Sequence, residues 1–317
     1  MRVLVTGGTG FIGTYLVSAL RRRGDTVLCL LRRPVLWSDP GIECITVDLT
    51  DSAMLRRVLD GVAACEDVFH FGAMLPLPSH SGAAALSPYL PTNVDATAIL
   101  LEKAAAWNAG SFVFASSLPI IGKPVSIPVT EDHPVMPEHP YLQSKYLAEI
   151  SCEFFNRKKW LSVSSLRISS PYGPGMNPGT VLSLFMRLAR ESRDIQLFGT
   201  GARKQNFVHV SDVVQAALLA AEPGRCGIYN VAGRRATSMR ELAEAVIAVA
   251  PGSTSQVKFS GQPDPQDDYH WEISLARSAR ELGYQPQIDL VTGLTEYAAS
   301  LDTDHHAQWW LPCAWES

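Results

Sequence analysis

The chain has 317 residues, 46% of them hydrophobic, and a net charge of −4, enough for a substantial core and, by the usual size rule, about two domains. The acidic balance excludes a phosphate-backbone binder, so no nucleic-acid partner is expected, and no apolar run is long enough to make a membrane partner. Cys29, Cys44, Cys65, Cys152, Cys226 and Cys313 are scattered without a CxxC pair or a His cluster, which predicts free core thiols, no metal and a cytoplasmic location, since MRVLVTGG runs straight into a strand.

Short β-branched runs alternate with helical ones through the first half, the pattern of a parallel sheet covered on both faces. Strands are predicted at Arg2 to Val5, Thr26 to Leu31, Ile42 to Val47, Asp67 to Phe71, Ser111 to Ala115 and Ser162 to Ile168. Helices are predicted at Ile12 to Arg23, Ser52 to Leu59, Asn93 to Asn108 and Tyr141 to Lys158. The Arg21 to Arg23 run suits a solvated helix end. After Ser170, PYGPGMNPG reads as an ordered loop that opens a new unit. A helix at Val181 to Arg190, a strand at Asn206 to Val210, a helix at Asp212 to Ala221, a strand at Ile228 to Val231 and a helix at Ser238 to Ala250 follow. Thr237 and Ser238 read as the cap of that last helix, with Glu241 three residues after Ser238. The fold class is α/β: a Rossmann-type doubly wound parallel sheet with a smaller C-terminal α/β substrate-binding domain. The first domain is residues 1–172, with 203–235 returning to it, and the second is 173–202 and 236–317.

Chemistry begins at the first turn. Gly7, Thr9, Gly10, Phe11, Ile12 and Gly13 join strand to helix, with glycines where a backbone must turn tightly and approach a pyrophosphate at the helix N-terminus. At the end of the second strand, where an acid would hold the ribose of NAD, stand Leu31, Arg32 and Arg33. Arginines make charge-assisted bonds to a 2′-phosphate, so NADP is expected, with NAD as the other candidate. Asp48 either reaches the adenine or caps the next helix. In PYLQSKYLAE, Tyr141 and Lys145 fall on one helix face, the pairing that brings a phenol proton into usable range. Ser116 and Ser117 sit at the carboxyl end of a strand, where ligands of such sheets bind. His80, His133 and His139 read as surface-loop residues.

TGGTGFIG, VDLTD, VFHFGA, NVDATAILLEKA, FVFASS, PYLQSK, LRISSPYGPG and NFVHVSDVV resemble, in order and spacing, the extended short-chain dehydrogenases/reductases of the NAD(P)-dependent epimerase/dehydratase family, from Met1 to about Ser300. The resemblance implies about seven parallel strands and a homodimer formed through the helices near Asn93 to Trp107 and Tyr141 to Lys158. It implies that Ser117 orients the substrate oxygen, that Tyr141 is the acid/base, and that Lys145 holds the nicotinamide ribose. Asp48 with Leu49, and Phe71, Gly72 and Ala73, would line the cofactor. Met74, Tyr172 and Arg203 would touch a small-molecule substrate.

Departures from the family narrow the chemistry. Leu118 and Pro119 stand where dehydratases and decarboxylases of the family carry an acid, and neither exchanges a proton. Three nucleotide-sugar anchors are changed: the Asn before PxG is Ser170, the Arg before the later strand is Gln205, and the late Arg is missing from GQPDPQDD, with Arg203 two residues upstream of Gln205. The sequence therefore predicts an NADP(H)-dependent oxidoreductase that interconverts a ketone and a secondary alcohol on a sugar-like or other polar metabolite through Ser117, Tyr141 and Lys145. A redox-neutral nucleotide-sugar epimerase with tightly bound cofactor is the alternative, and a non-catalytic NADPH-binding module a third.

Overall fold

A computed structural model describes residues 1–35, 37–76 and 85–302; His80, Cys313 and the tryptophans at 309, 310 and 315 lie outside the described residues. The Rossmann half runs β1 (Arg2–Thr6), α1 (Phe11–Arg23), β2 (Thr26–Leu31), β3 (Ile42–Thr46), α2 (Ser52–Gly61), β4 (Asp67–His70), α3 (Ala96–Ala106), β5 (Ser111–Ser117), α4 (Pro140–Lys158) and β6 (Val163–Ile168). Beyond it come β7 (Ser170–Tyr172), α5 (Val181–Arg190), β8 (Ile195–Leu197), β9 (Lys204–His209), α6 (Val210–Ala220), β10 (Gly227–Val231), β11 (Ala236–Ser238), α7 (Met239–Val249), β12 (Val257–Phe259), α8 (Ala276–Leu282) and α9 (Leu290–Ser300).

Seven strands form the main sheet in the order β10-β6-β5-β4-β1-β2-β3, all paired in parallel. The order reverses between β1 and β4, and ligands of such sheets bind outside the carboxyl ends at that point. The central strands are fully buried, because α1 and α6 cover one face while α2, α3 and α4 cover the other. β9 sits between β7 and β11 in a separate small sheet, while β10 pairs with β6 in the main one. A third core joins α5, α7 and α9. Among the described residues no helix is long and apolar enough to cross a membrane.

Several expectations need correction. The helix read from Asn93 starts instead as a wide π turn over Pro91–Asp95 that leads into α3, a distortion that turns Asn93 inward. Ser170–Tyr172 is a strand rather than loop; Pro171 is tolerated there because β7 is an edge. Val210 rather than Asp212 starts α6, because the preceding His209 takes the Ser211 amide hydrogen bond at 3.4 Å. Ser238 does cap α7, in a reciprocal capping box with Glu241. Cys44 and Cys226 are exposed, so only Cys29, Cys65 and Cys152 among the described thiols are core residues. His133 is buried, its Nε2 accepting from the Val125 amide at 3.1 Å.

Candidate active site

From Thr6 the chain turns through four residues into α1. Gly7 has φ of +73°, and a Cβ on it would lie 2.6 Å from the Gly72 amide nitrogen, so two backbones touch there. Gly13 packs against the Gly7 carbonyl too closely for any side chain. Gly10 is different: its φ of −78° suits any residue, and a Cβ would meet only the Gly7 carbonyl oxygen, at 3.2 Å. Glycine there leaves open space over the start of α1, whose amides no side chain caps. Free N–H groups and a positive dipole end fit a pyrophosphate. Thr9 is exposed beside this space, while Phe11 and Ile12 are half-buried.

β2 ends at buried Leu31, and Arg32 and Arg33 follow it, both exposed and neither engaged in an ion pair or hydrogen bond among the described residues. Asp48 is exposed and accepts from the amide and hydroxyl of Thr50, each at 2.9 Å. The cap of α2 is Asp51, which takes the Met54 amide, so the helix-capping alternative for Asp48 is removed. Leu49 packs on Gly72, between half-buried Phe71 and Ala73.

A buried polar chain, absent from the sequence reading, holds this loop. Gly72 N–H donates to Thr6 Oγ1 at 3.0 Å, and Thr6 Oγ1 meets His70 Nδ1 at 2.6 Å. On the other side His70 Nε2 meets Thr97 Oγ1 at 2.9 Å, and Thr97 donates to the Asn93 carbonyl at 2.7 Å. Since the Thr97 hydrogen is used on Asn93, His70 donates at Nε2 and accepts at Nδ1, a neutral ring. Burial, with Lys145 nearby, pushes its pKa down to about 3, in keeping with that state. Asn93 then accepts from the Met74 amide at 2.8 Å and donates to the Met74 carbonyl at 3.1 Å and to Ser144 Oγ at 2.8 Å, while Ser144 donates to the Tyr141 carbonyl at 2.7 Å. The chain ties the exits of β1 and β4 to the start of α4. The only sequence signals were a polar end to DVFH and an Asn opening a helix.

Successive residues of a strand face opposite ways, and this separates the two serines. Ser116 is buried and donates to Glu149 Oε2 at 2.7 Å; Glu149 pairs with Arg167 at 2.6 Å, with both side chains inside the protein. Ser117 is half-buried and outside that network. α4 starts with Pro140 behind His139, whose Nδ1 accepts from the Tyr141 amide at 3.1 Å. His139 is therefore half-buried at the site rather than a surface-loop residue. Tyr141 and Lys145 lie one turn apart on the same face. Burial pushes the Tyr141 phenol up to about 12 and the Lys145 ammonium down to about 7, with Cys152 and Glu149 opposing the latter. Lys145 Nζ stands 4.1 Å from the Phe114 ring centroid, a cation–π contact.

The chain neighbours of Ser117 and Tyr141, namely Leu118, Pro119, His139 and Leu142, line a cavity of about 410 Å³ together with Glu138, Arg203 and Gln205. Met74 is half-buried with its backbone clipped by Asn93. Tyr172 is not brought to the cavity: it is 1% exposed in the C-terminal core, its hydroxyl donating to the Asp289 carbonyl at 3.2 Å. Among the described residues no group of acids, cysteines and histidines is placed to hold a metal.

A model of the NAD dependent epimerase/dehydratase family matches residues 3–232. A dTDP-glucose 4,6-dehydratase of Actinoplanes is 27% identical, with 98% of this chain and 100% of the relative covered. The structure of a UDP-glucose 4-epimerase from Thermotoga maritima with UDP-glucose superposes with a TM-score of 0.83 at 26% identity, covering 95% of this chain and 98% of the other. A UDP-glucose 4-epimerase from Thermus thermophilus in complex with NAD gives 0.80 at 26% identity, with 95% and 98% covered.

Proposed function

We propose, for a chain that belongs to the NAD dependent epimerase/dehydratase family and is an enzyme of that type, that it inverts configuration at a secondary alcohol carbon through a transient ketone, with no net redox change. The observation that carries this reading is the wall that continues from Ser117. Leu118 and Pro119 line the cavity there, so the place directly after Ser117, where the family's dehydratases carry an acid, offers no carboxyl for elimination. The epimerase structures described above support the same choice.

In this reading Tyr141 takes the substrate hydroxyl proton and later returns it, while Ser117 donates a hydrogen bond to the reacting oxygen. Lys145 holds the nicotinamide ribose, and its ammonium favours the phenolate. The bound nicotinamide would supply hydride acceptance and return. The Gly10 space and the uncapped α1 terminus would hold the pyrophosphate. Protein purified through gel filtration is expected to retain nicotinamide near one per chain and to leave added NADPH unconsumed. Loss of nicotinamide together with steady NADPH consumption on a ketone would replace this reading with the second.

That second reading is net NADP(H)-dependent oxidoreduction, and exposed Arg32 and Arg33 favour it. Charge-assisted bonds from this pair to a 2′-phosphate are worth about 1.5–3 kcal/mol net, roughly ten- to hundredfold in affinity. Arg32→Ala with Arg33→Ala is thus expected to weaken NADPH by that factor in a titration and to leave NADH nearly unchanged. Equal weakening of both removes the NADP preference.

A further inference from the structure

We infer that the sugar ring received by this cavity carries an apolar substituent beside its reacting carbon, as in a nucleoside diphosphate 6-deoxyhexose; the inference rests on the hydride-exchange reading above. In that reading the reacting carbon lies between Ser117 and Tyr141, and the side chains that follow each of them are apolar. Leu118 and Pro119 come directly after Ser117, Leu142 comes directly after Tyr141, and all three line the cavity. Leu142 and Trp271, a further lining residue, pack on buried Ile120, Ile121 and Val129. The wall beside the reacting carbon is therefore one hydrophobic patch.

Polar groups of the cavity are engaged or gathered on β9. His139 Nδ1 accepts from the Tyr141 amide at 3.1 Å, and Glu138 Oε1 accepts from the Tyr269 hydroxyl at 3.5 Å. Gln205 Nε2 donates to Ser170 Oγ at 2.5 Å. Arg203, just before β9, keeps a buried Nε with no hydrogen bond among the described residues, 3.6 Å from the Asp264 carboxylate. A cation with a donor to spare suits the diphosphate of a nucleotide sugar, while the patch after Ser117 suits hydrocarbon. With C4 as the reacting carbon, as in the 4-epimerases of similar fold, the ring neighbour C5 carries the exocyclic C6. A 4,6-dehydratase such as the Actinoplanes relative has to bring an acid to the hydroxyl that it expels from C6, and Leu118 and Pro119 occupy that place here. A C6 hydroxyl pressed on them is buried without a partner, whereas a C6 methyl gains contact.

Calorimetric titration of the dinucleotide-loaded full chain tests this, with dTDP-glucose against dTDP-6-deoxyglucose and the same pair carried on UDP. The members of each pair differ by one oxygen. The 6-deoxy sugar is expected to bind about ten- to hundredfold more tightly, the cost of burying a hydroxyl without a partner. A ratio under about tenfold overturns the inference, and this arm needs no variant to fold. Pro119 holds the second place of a short 3₁₀ turn, where an N–H has no partner within the turn, so Pro119→Gln supplies a polar group without breaking a hydrogen bond. It is expected to shrink the ratio at least about threefold by giving the C6 hydroxyl a partner. A folded variant whose ratio changes less also overturns the inference, because the patch is then not what reads the substituent. Failure of both sugars to bind with either nucleoside overturns it as well, and retained dinucleotide leaves the proposed function standing in that case. Failure to bind any dinucleotide sinks that function too.

Discussion

Tyr141→Phe is expected to lower kcat by about 10²–10⁴-fold, the range supplied by a positioned general acid/base, with dinucleotide affinity and melting temperature close to wild type. The structural side of that expectation follows from the surroundings of the ring. Its edge packs near Tyr89, with centroids 6.1 Å apart, and its hydroxyl makes no hydrogen bond among the described residues. Phenylalanine keeps the packing and strands no partner, so a loss of activity reports chemistry rather than folding. Steady-state kinetics beside thermal melts separate the two. A variant that retains within tenfold of wild-type kcat would move the acid/base role elsewhere. Burial holds the phenol up to about 12 in the protein alone, so at neutral pH Tyr141 is protonated.

Legibility in the sequence followed how local each signal was. β1, the glycine turn and α1 were readable because the whole motif spans about a dozen residues and each glycine answers a local backbone demand. Tyr141 and Lys145 were readable for the same reason, as an i, i+4 pair behind a proline. The choice of Ser117 over Ser116 rested on the family resemblance alone; what the sequence did not show is that strand alternation turns Ser116 into the Glu149–Arg167 network. His70, Asn93 and Thr97 escaped notice because their chain is assembled from β1, β4 and the turn before α3. The pairing of Arg203 was equally invisible, since Asp264 lies sixty-one residues away in a loop with no periodicity of its own. Tyr172 went the other way: its motif suggested the substrate, but packing against α9 places it in the core. β8 and β12, each three residues long, pair across about sixty residues, too short and too distant for pattern reading.

Lys145→Met is expected to stabilise the cofactor-free protein at pH 6 to 7 while abolishing activity, and the stability gain should fade as pH rises. Lys145 is 3% exposed, and burial drives its pKa down to about 7, against about 10.4 in an unfolded chain. Between those two values the unfolded state binds more protons than the folded one, so the lysine's contribution to stability improves with pH across that window. Below about pH 7 the full cost of burying the ammonium is present, on the order of a few kcal/mol after the Phe114 contact and Glu149 repay part of it. Above about pH 10.5 the amine is neutral in both states and the cost is gone. Lys145 also contributes to the shifts of His70, at about 3, and Cys152, at about 12, but both lie outside pH 6 to 10, so within that window the difference in melting temperature between wild type and variant reports Lys145. A difference that stays flat from pH 6 to 10 would mean that Lys145 keeps its ordinary basicity. A difference that narrows with pH shows that a cation is kept in an apolar interior, where it destabilises the empty fold, a cost that the proposed role beside Tyr141 would account for.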